Sequence, residues 1–109
     1  VILGDLNAAP EGDKARVETT NQILNNPLIN SQFIPKSAGA KEQYPQPYAK
    51  YFTANWQARV DYVLPSTYGF KIHDGGVFWP TKNSEQYRLI KDRNASSDHR
   101  LVWLDLLIE

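Results

Sequence analysis

Three short clusters in the 109-residue sequence put polar side chains where apolar strands begin or end. They are Gly4-Asp5-Leu6-Asn7, Arg59-Val60-Asp61-Tyr62 and Ser96-Ser97-Asp98-His99-Arg100. Together they offer three carboxylates, one amide and one imidazole. In open α/β sheets, reactive groups collect at strand ends. This set of types suits metal-assisted displacement at phosphorus. Asp98 could hold a hard divalent cation through oxygen. His99 could bear the charge growing on a phosphoryl oxygen, with Asp61 fixing its tautomer and raising its basicity. Asp5 could orient or deprotonate a water, and Asn7 could donate to the phosphate.

Other residues that could do chemistry read more plainly. Ser97 is a turn former with no base assigned to it. His73, alone before Asp74-Gly75, reads as a surface histidine. Trp56, Trp79 and Trp103 read as core, Trp56 being the best exception because it precedes Arg59. Asn94-Ala95-Ser96 matches a glycosylation sequon, a pattern that arises often by chance. Lys36, Lys41 and Lys50, interleaved with Tyr44, Tyr48 and Tyr51, could touch a polyanion, but a solvated loop is the simpler account.

The elements that must position the clusters follow from periodicity and breakers. Val1–Leu3 reads as a buried strand. Lys14–Asn25 reads as a helix capped by Asp13 and stopped by Asn25-Asn26-Pro27, since proline cannot continue the ladder. Residues 35–50, with Pro35, Gly39, Pro45 and Pro47, read as a long surface loop. Thr53–Trp56 reads as a short strand or turn. Arg59–Leu64 alternates, with Val60, Tyr62 and Leu64 facing one way. Phe70–His73 reads as a strand, Asp74-Gly75-Gly76 as a tight turn, and Ser84–Leu89 as a helical turn. Arg100–Ile108 is apolar on both faces, so it should be covered on both sides, as in a layered α/β protein.

Composition bounds the answer. Twelve Lys and Arg balance twelve Asp and Glu, which removes the simplest argument for a strongly basic nucleic-acid binder. Cysteine is absent, so disulfides and thiolate metal sites are excluded. Hydrophobic residues at 41% and aromatics at 12% fit one folded domain rather than a disordered chain. No run of about 18 apolar residues is present to span a membrane. Methionine is absent throughout, and the chain opens directly on Val1-Ile2-Leu3. That predicts a piece of a longer protein with its remainder N-terminal.

The stretches Val1-Ile2-Leu3-Gly4-Asp5-Leu6-Asn7, Arg59-Val60-Asp61-Tyr62-Val63-Leu64 and Ser97-Asp98-His99-Arg100-Leu101-Val102 resemble, in order, three signature motifs of the endonuclease/exonuclease/phosphatase superfamily, the fold of DNase I. Leu6 stands where that family usually has phenylalanine or another apolar residue. The resemblance implies roles. Asp5 matches the aspartate that positions the attacking water, and Asn7 the phosphate-contacting asparagine. Asp61 matches the partner of the catalytic histidine, His99 that histidine, and Asp98 a metal-side aspartate. It implies an α/β (α+β) fold, half of a DNase I-like four-layer sandwich with a mostly antiparallel or mixed sheet and a flanking helix. It also implies Mg²⁺ or Mn²⁺ as cofactor and a phosphate ester, nucleic acid or a small phosphodiester, as substrate.

The family's N-terminal half supplies an asparagine on its first strand, the main metal-binding glutamate and a mid-chain histidine or tyrosine. None has a counterpart in residues 1–109. The chain is therefore expected to be a C-terminal portion that is inactive alone. It is expected to leave an apolar sheet face open to self-association or to the missing half. The alternative expectation is a non-catalytic binding module that keeps the fold. Asp74-Gly75-Gly76-Val77-Phe78-Trp79-Pro80 resembles bacterial, often exported members, which favours a secreted or periplasmic location.

Overall fold

The computed structural model describes residues 1–11 and 16–109. Four strands carry the framework: β1 (Ile2–Asp5), β2 (Asp61–Leu64), β3 (Phe70–Val77) and β4 (Val102–Ile108). β1 pairs antiparallel with β2, and β3 with β4, giving two two-stranded sheets. With one short helix α1 (Ala38–Gln43) and several turns of tighter or wider helix, the architecture is α+β. That agrees with part of a DNase I-like domain. Among the described residues no helix is long and apolar enough to cross a membrane.

β2 forms where the alternation predicts it. Val60, Tyr62 and Leu64 are buried at 2% exposure, while Asp61 and Val63 face the other way and are half-buried. The register sets Ile2 opposite Leu64 and Asp5 opposite Asp61. Leu6 N–H continues the pairing by donating to the Val60 carbonyl at 2.9 Å. β1 itself is not buried as its apolar run suggests: Ile2 and Leu3 are both exposed.

The segment expected to be a loop, residues 35–50, instead builds much of the core. Ser37 caps α1, its Oγ accepting from Ala40 N–H at 3.2 Å. Ala40 and Ala49 are fully buried against Phe52, Val77, Trp79 and Ile90. Tyr44 meets Phe52 and Trp79 edge-on at 5.5 and 5.9 Å, a geometry worth about 0.5–1.5 kcal/mol per pair beyond burial. Gly39 lets α1 dock this closely. Any Cβ there would strike the Trp79 and Pro80 carbonyl oxygens.

Asp74-Gly75-Gly76 is likewise not a turn. β3 runs straight through it, with a bulge between Ile72 and Asp74 absorbing the irregularity. Gly75 is needed because a Cβ there would press on the Trp103 carbonyl oxygen at 2.9 Å and on the Phe33 ring at 2.8 Å. The anticipated helix over Lys14–Asn25 survives in its second half as a π-helix, Thr19–Leu24, with Asn25 N–H closing on the Thr20 carbonyl five residues back. Its proposed cap, Asp13, lies outside the described residues. The helical turn expected near Ser84–Leu89 is a 3₁₀-helix, Glu85–Leu89, capped by Ser84.

β4 is covered on one face only. Val102, Leu104 and Leu106 are half-buried, whereas Leu101, Trp103 and Leu107 are exposed. The expectation of cover on both sides is thus not met within these residues, and Trp103 is not core.

Candidate active site

The ends of β1 and β2 bring two carboxylates face to face. Asp5 and Asp61 are cross-strand partners, an arrangement that is unfavourable for like charges without a third group. His99 is that group. Its Nδ1 lies 2.9 and 3.2 Å from the two oxygens of Asp61, and its Nε2 lies 3.9 Å from Asp5 Oδ2. An ionised carboxylate only accepts, so Nδ1–H donates to Asp61 and Nε2 is left facing Asp5. The imidazole is 30% exposed, with Asp61 at 18% and Asp5 at 45%, so the trio is open to solvent on the Asp5 side. The hydrogen bond to Asp61 is the main cause of a His99 pKa above its ordinary value. Partial burial opposes it, and the charges of Asp61, Asp5 and Asp98 add to it.

The backbone around His99 is held from several directions. Residue 99 bridges to Ala54, and Asn55 N–H donates to the Asp98 carbonyl at 2.9 Å. Ser97 Oγ accepts from His99 N–H at 3.0 Å, the turn role read from sequence. The Arg100 guanidinium donates to the carbonyls of Ser97, His99 and Ile90 while lying 4.6 Å over the Trp79 ring. Trp56 stands edge-on to the imidazole at 4.9 Å, which limits ring rotation.

Asp61 is held by a residue that the sequence did not single out. Thr53 is 1% exposed, and its Oγ1 accepts from both Val60 N–H at 2.9 Å and Asp61 N–H at 3.1 Å. Its carbonyl accepts from Arg100 N–H at 2.7 Å. Thr53 therefore joins the segment that carries Asp61 to the one that carries His99. The available signal was a lone hydroxyl in the apolar run Phe52-Thr53-Ala54. Arg59 does not pair with Asp61; it is buried with its guanidinium 4.6 Å over the Tyr62 ring. The Tyr62 hydroxyl lies 2.8 Å from the Ala8 carbonyl, and burial pushes its pKa up to about 12.

Asn7 follows Asp5 in an Asx turn, its N–H donating to Asp5 Oδ1 at 2.7 Å. Its backbone is left-handed, φ +52°, which asparagine tolerates better than most residues. Asp98 stands apart from the trio of Asp5, Asp61 and His99, whose ligand-type atoms all lie within 4.8 Å of one another. The Asp98 carboxylate is 3.8 Å from the Arg93 guanidinium, whose side chain is 74% exposed and so easily displaced.

Donor chemistry tests whether these residues fit a hard divalent ion. Such ions take oxygen. Nδ1 of His99 is engaged by Asp61. Among the described residues, the carboxylate oxygens that lie together are those of Asp5 and Asp61, and Asp98 is not part of that group. Asp5 and Asp61 supply oxygen of the type such an ion takes, and Asp98 offers a further, separate carboxylate.

The paired strand ends of this α+β domain thus present an acid–imidazole–acid arrangement. The model of the Endonuclease/Exonuclease/phosphatase family matches residues 1–99, and the chain belongs to that family. Its members cleave phosphoesters, nucleic acids among them, and generally use divalent metals. No curated protein and no solved structure matches the chain.

Proposed function

We propose that this chain carries the histidine–aspartate side of a metal-dependent phosphoester hydrolase centre. The observation that carries the reading is the 2.9 Å contact of His99 Nδ1 with Asp61, opposite Asp5 across the strand pair. Asp61 holds the imidazole in the tautomer that presents Nε2. His99, in its protonated form, places positive charge where a phosphoryl oxygen becomes more negative. Asp5, more exposed than Asp61, orients a water and takes its proton. Asn7 contributes its amide to the phosphate from the turn after β1. Asp98 would hold Mg²⁺ or Mn²⁺, together with a glutamate from the N-terminal half of the domain. When bound, such an ion polarises the phosphoryl group and neutralises developing charge.

On this reading residues 1–109 are the C-terminal portion of one domain, and an exported member is favoured. The test is hydrolysis of bis-p-nitrophenyl phosphate by the chain alone and by the domain extended with the family's N-terminal half. The chain alone should not turn over substrate. The extended domain should do so with Mg²⁺ and stop in EDTA. His99→Ala should cost about 10²–10³-fold, the usual worth of one group stabilising transition-state charge. Turnover unchanged by His99→Ala or Asp61→Ala, or no turnover by the extended domain, overturns the proposal; the latter result points to a binding module.

A further inference from the structure

Three of the twelve basic side chains of this uncharged protein line one cavity away from the Asp5–Asp61–His99 trio. The cavity holds about 410 Å³ and is bounded by Lys36, Ser37, Ala38, Lys41, Lys50 and Gly75. That volume falls within the range of small-ligand sites, roughly 300–1,000 Å³. The lysines come from separate stretches of backbone, and main-chain bonds bring them together. Val77 N–H donates to the Lys36 carbonyl at 3.0 Å, fixing Lys36 against β3. Ser37 N–H donates to the Lys50 carbonyl at 2.9 Å, fixing Lys50 beside it. Lys41 follows on α1, four residues after the Ser37 cap.

No carboxylate lines this space. Glu42, the one acid between Lys36 and Lys50, is turned elsewhere and accepts from Lys82 N–H at 3.1 Å. Among the described residues, none of the three lysines forms an ion pair. Lys50 Nζ lies 5.2 Å from the Tyr51 ring centroid, and a bound anion would supply the counter-charge that the lining lacks. Three flexible ammonium groups match several phosphoryl oxygens better than one carboxylate, because each acts as a mobile point charge.

We propose that this cavity is a subsite for a ligand bearing two or more neighbouring phosphates. The shared chemistry is that of a nucleic-acid strand and of a free polyphosphate. It does not depend on the hydrolase reading, since it involves none of Asp5, Asn7, Asp61, Asp98 or His99.

The test measures binding by the intact chain in EDTA, so that nothing is cleaved. The probes are a fluorescent oligothymidylate, read by anisotropy, and inorganic tripolyphosphate, read by amide NMR shifts and as a competitor. The variant Lys36→Gln/Lys41→Gln/Lys50→Gln should bind at least about tenfold more weakly. Its log–log salt slope for the oligothymidylate should fall by about two, given roughly 0.7 per phosphate contact on single strands. A control, Lys71→Gln/Lys82→Gln/Lys91→Gln, has the same change in net charge outside the cavity and should bind as the parent does. In the unsubstituted chain, the amides of Ser37, Ala38 and Gly75 should shift on titration with tripolyphosphate. Strand binding assigns the nucleic-acid source, and tripolyphosphate binding without it assigns the free one. No binding of either probe, equal losses in both triple variants, or unmoved Ser37 and Gly75 amides overturns the proposal.

Discussion

At the scale of single residues, the chemistry turns on what raises the His99 pKa above its ordinary value. The β1–β2 register sets Asp5 opposite Asp61, and the imidazole between them relieves the repulsion when it is protonated. The bond to Asp61 is the largest contribution to the raised pKa. Because the folded-state value lies above the unfolded one, protonated His99 stabilises the fold. That contribution is complete below the unfolded-state pKa and is lost as pH rises through the folded-state pKa. Imidazole ¹⁵N NMR in EDTA should therefore give a lower His99 midpoint for Asp61→Asn than for the parent. The stability difference between the two should shrink as pH rises through that window. A midpoint unmoved by Asp61→Asn would contradict the geometry. That Asp5, Asp61 and His99 lie together was legible from the order of the three motifs; each alone reads equally as a turn, a cap or an ion pair. Asp98 was legible as a donor type, but its distance from the trio was not, since a side-chain direction in a loop has no periodicity to reveal it.

Between residue and element stands Thr53, whose single hydroxyl replaces a regular ladder where the 53–60 segment bends back on itself. Thr53→Val keeps the shape and removes the acceptor, leaving two amide donors wanting. The expected cost is about 1–3 kcal/mol, seen as a lower urea midpoint with an unchanged slope. Thr53→Ser should keep most of the stability, and a Val variant as stable as the parent would remove Thr53 from this role. The elements misread from sequence share a cause. α1 has only six residues, too few for a helical period to register beside Pro45 and Pro47. Asp74-Gly75-Gly76 has the composition of a turn, yet its glycines serve close approach by Trp103 and Leu104 instead. In both cases tertiary contact, absent from any local window, decides the conformation.

At the scale of the whole molecule, the uneven cover of β4 is the notable feature. Leu101, Trp103 and Leu107 are 66%, 41% and 51% exposed, and Ile108 is 85% exposed. Exposed apolar side chains of this size, even with Asp105 between Trp103 and Leu107, favour burial against another surface. In sedimentation velocity, the 109-residue chain should show a weight-average coefficient that rises with concentration. Trp103→Lys/Leu107→Lys should suppress the rise. A parent chain that stays monomeric throughout would count against the open face as an association surface.

The trio also has a long tether. Residues 6–60, a stretch of 55, separate Asp5 from the Asp61 it faces. Closure entropy grows only logarithmically, so even doubling that span would cost about 0.6 kcal/mol. Insertions at its exposed bends are thus cheap, and new recognition loops can evolve between the reacting groups while the distance across the strand pair stays fixed.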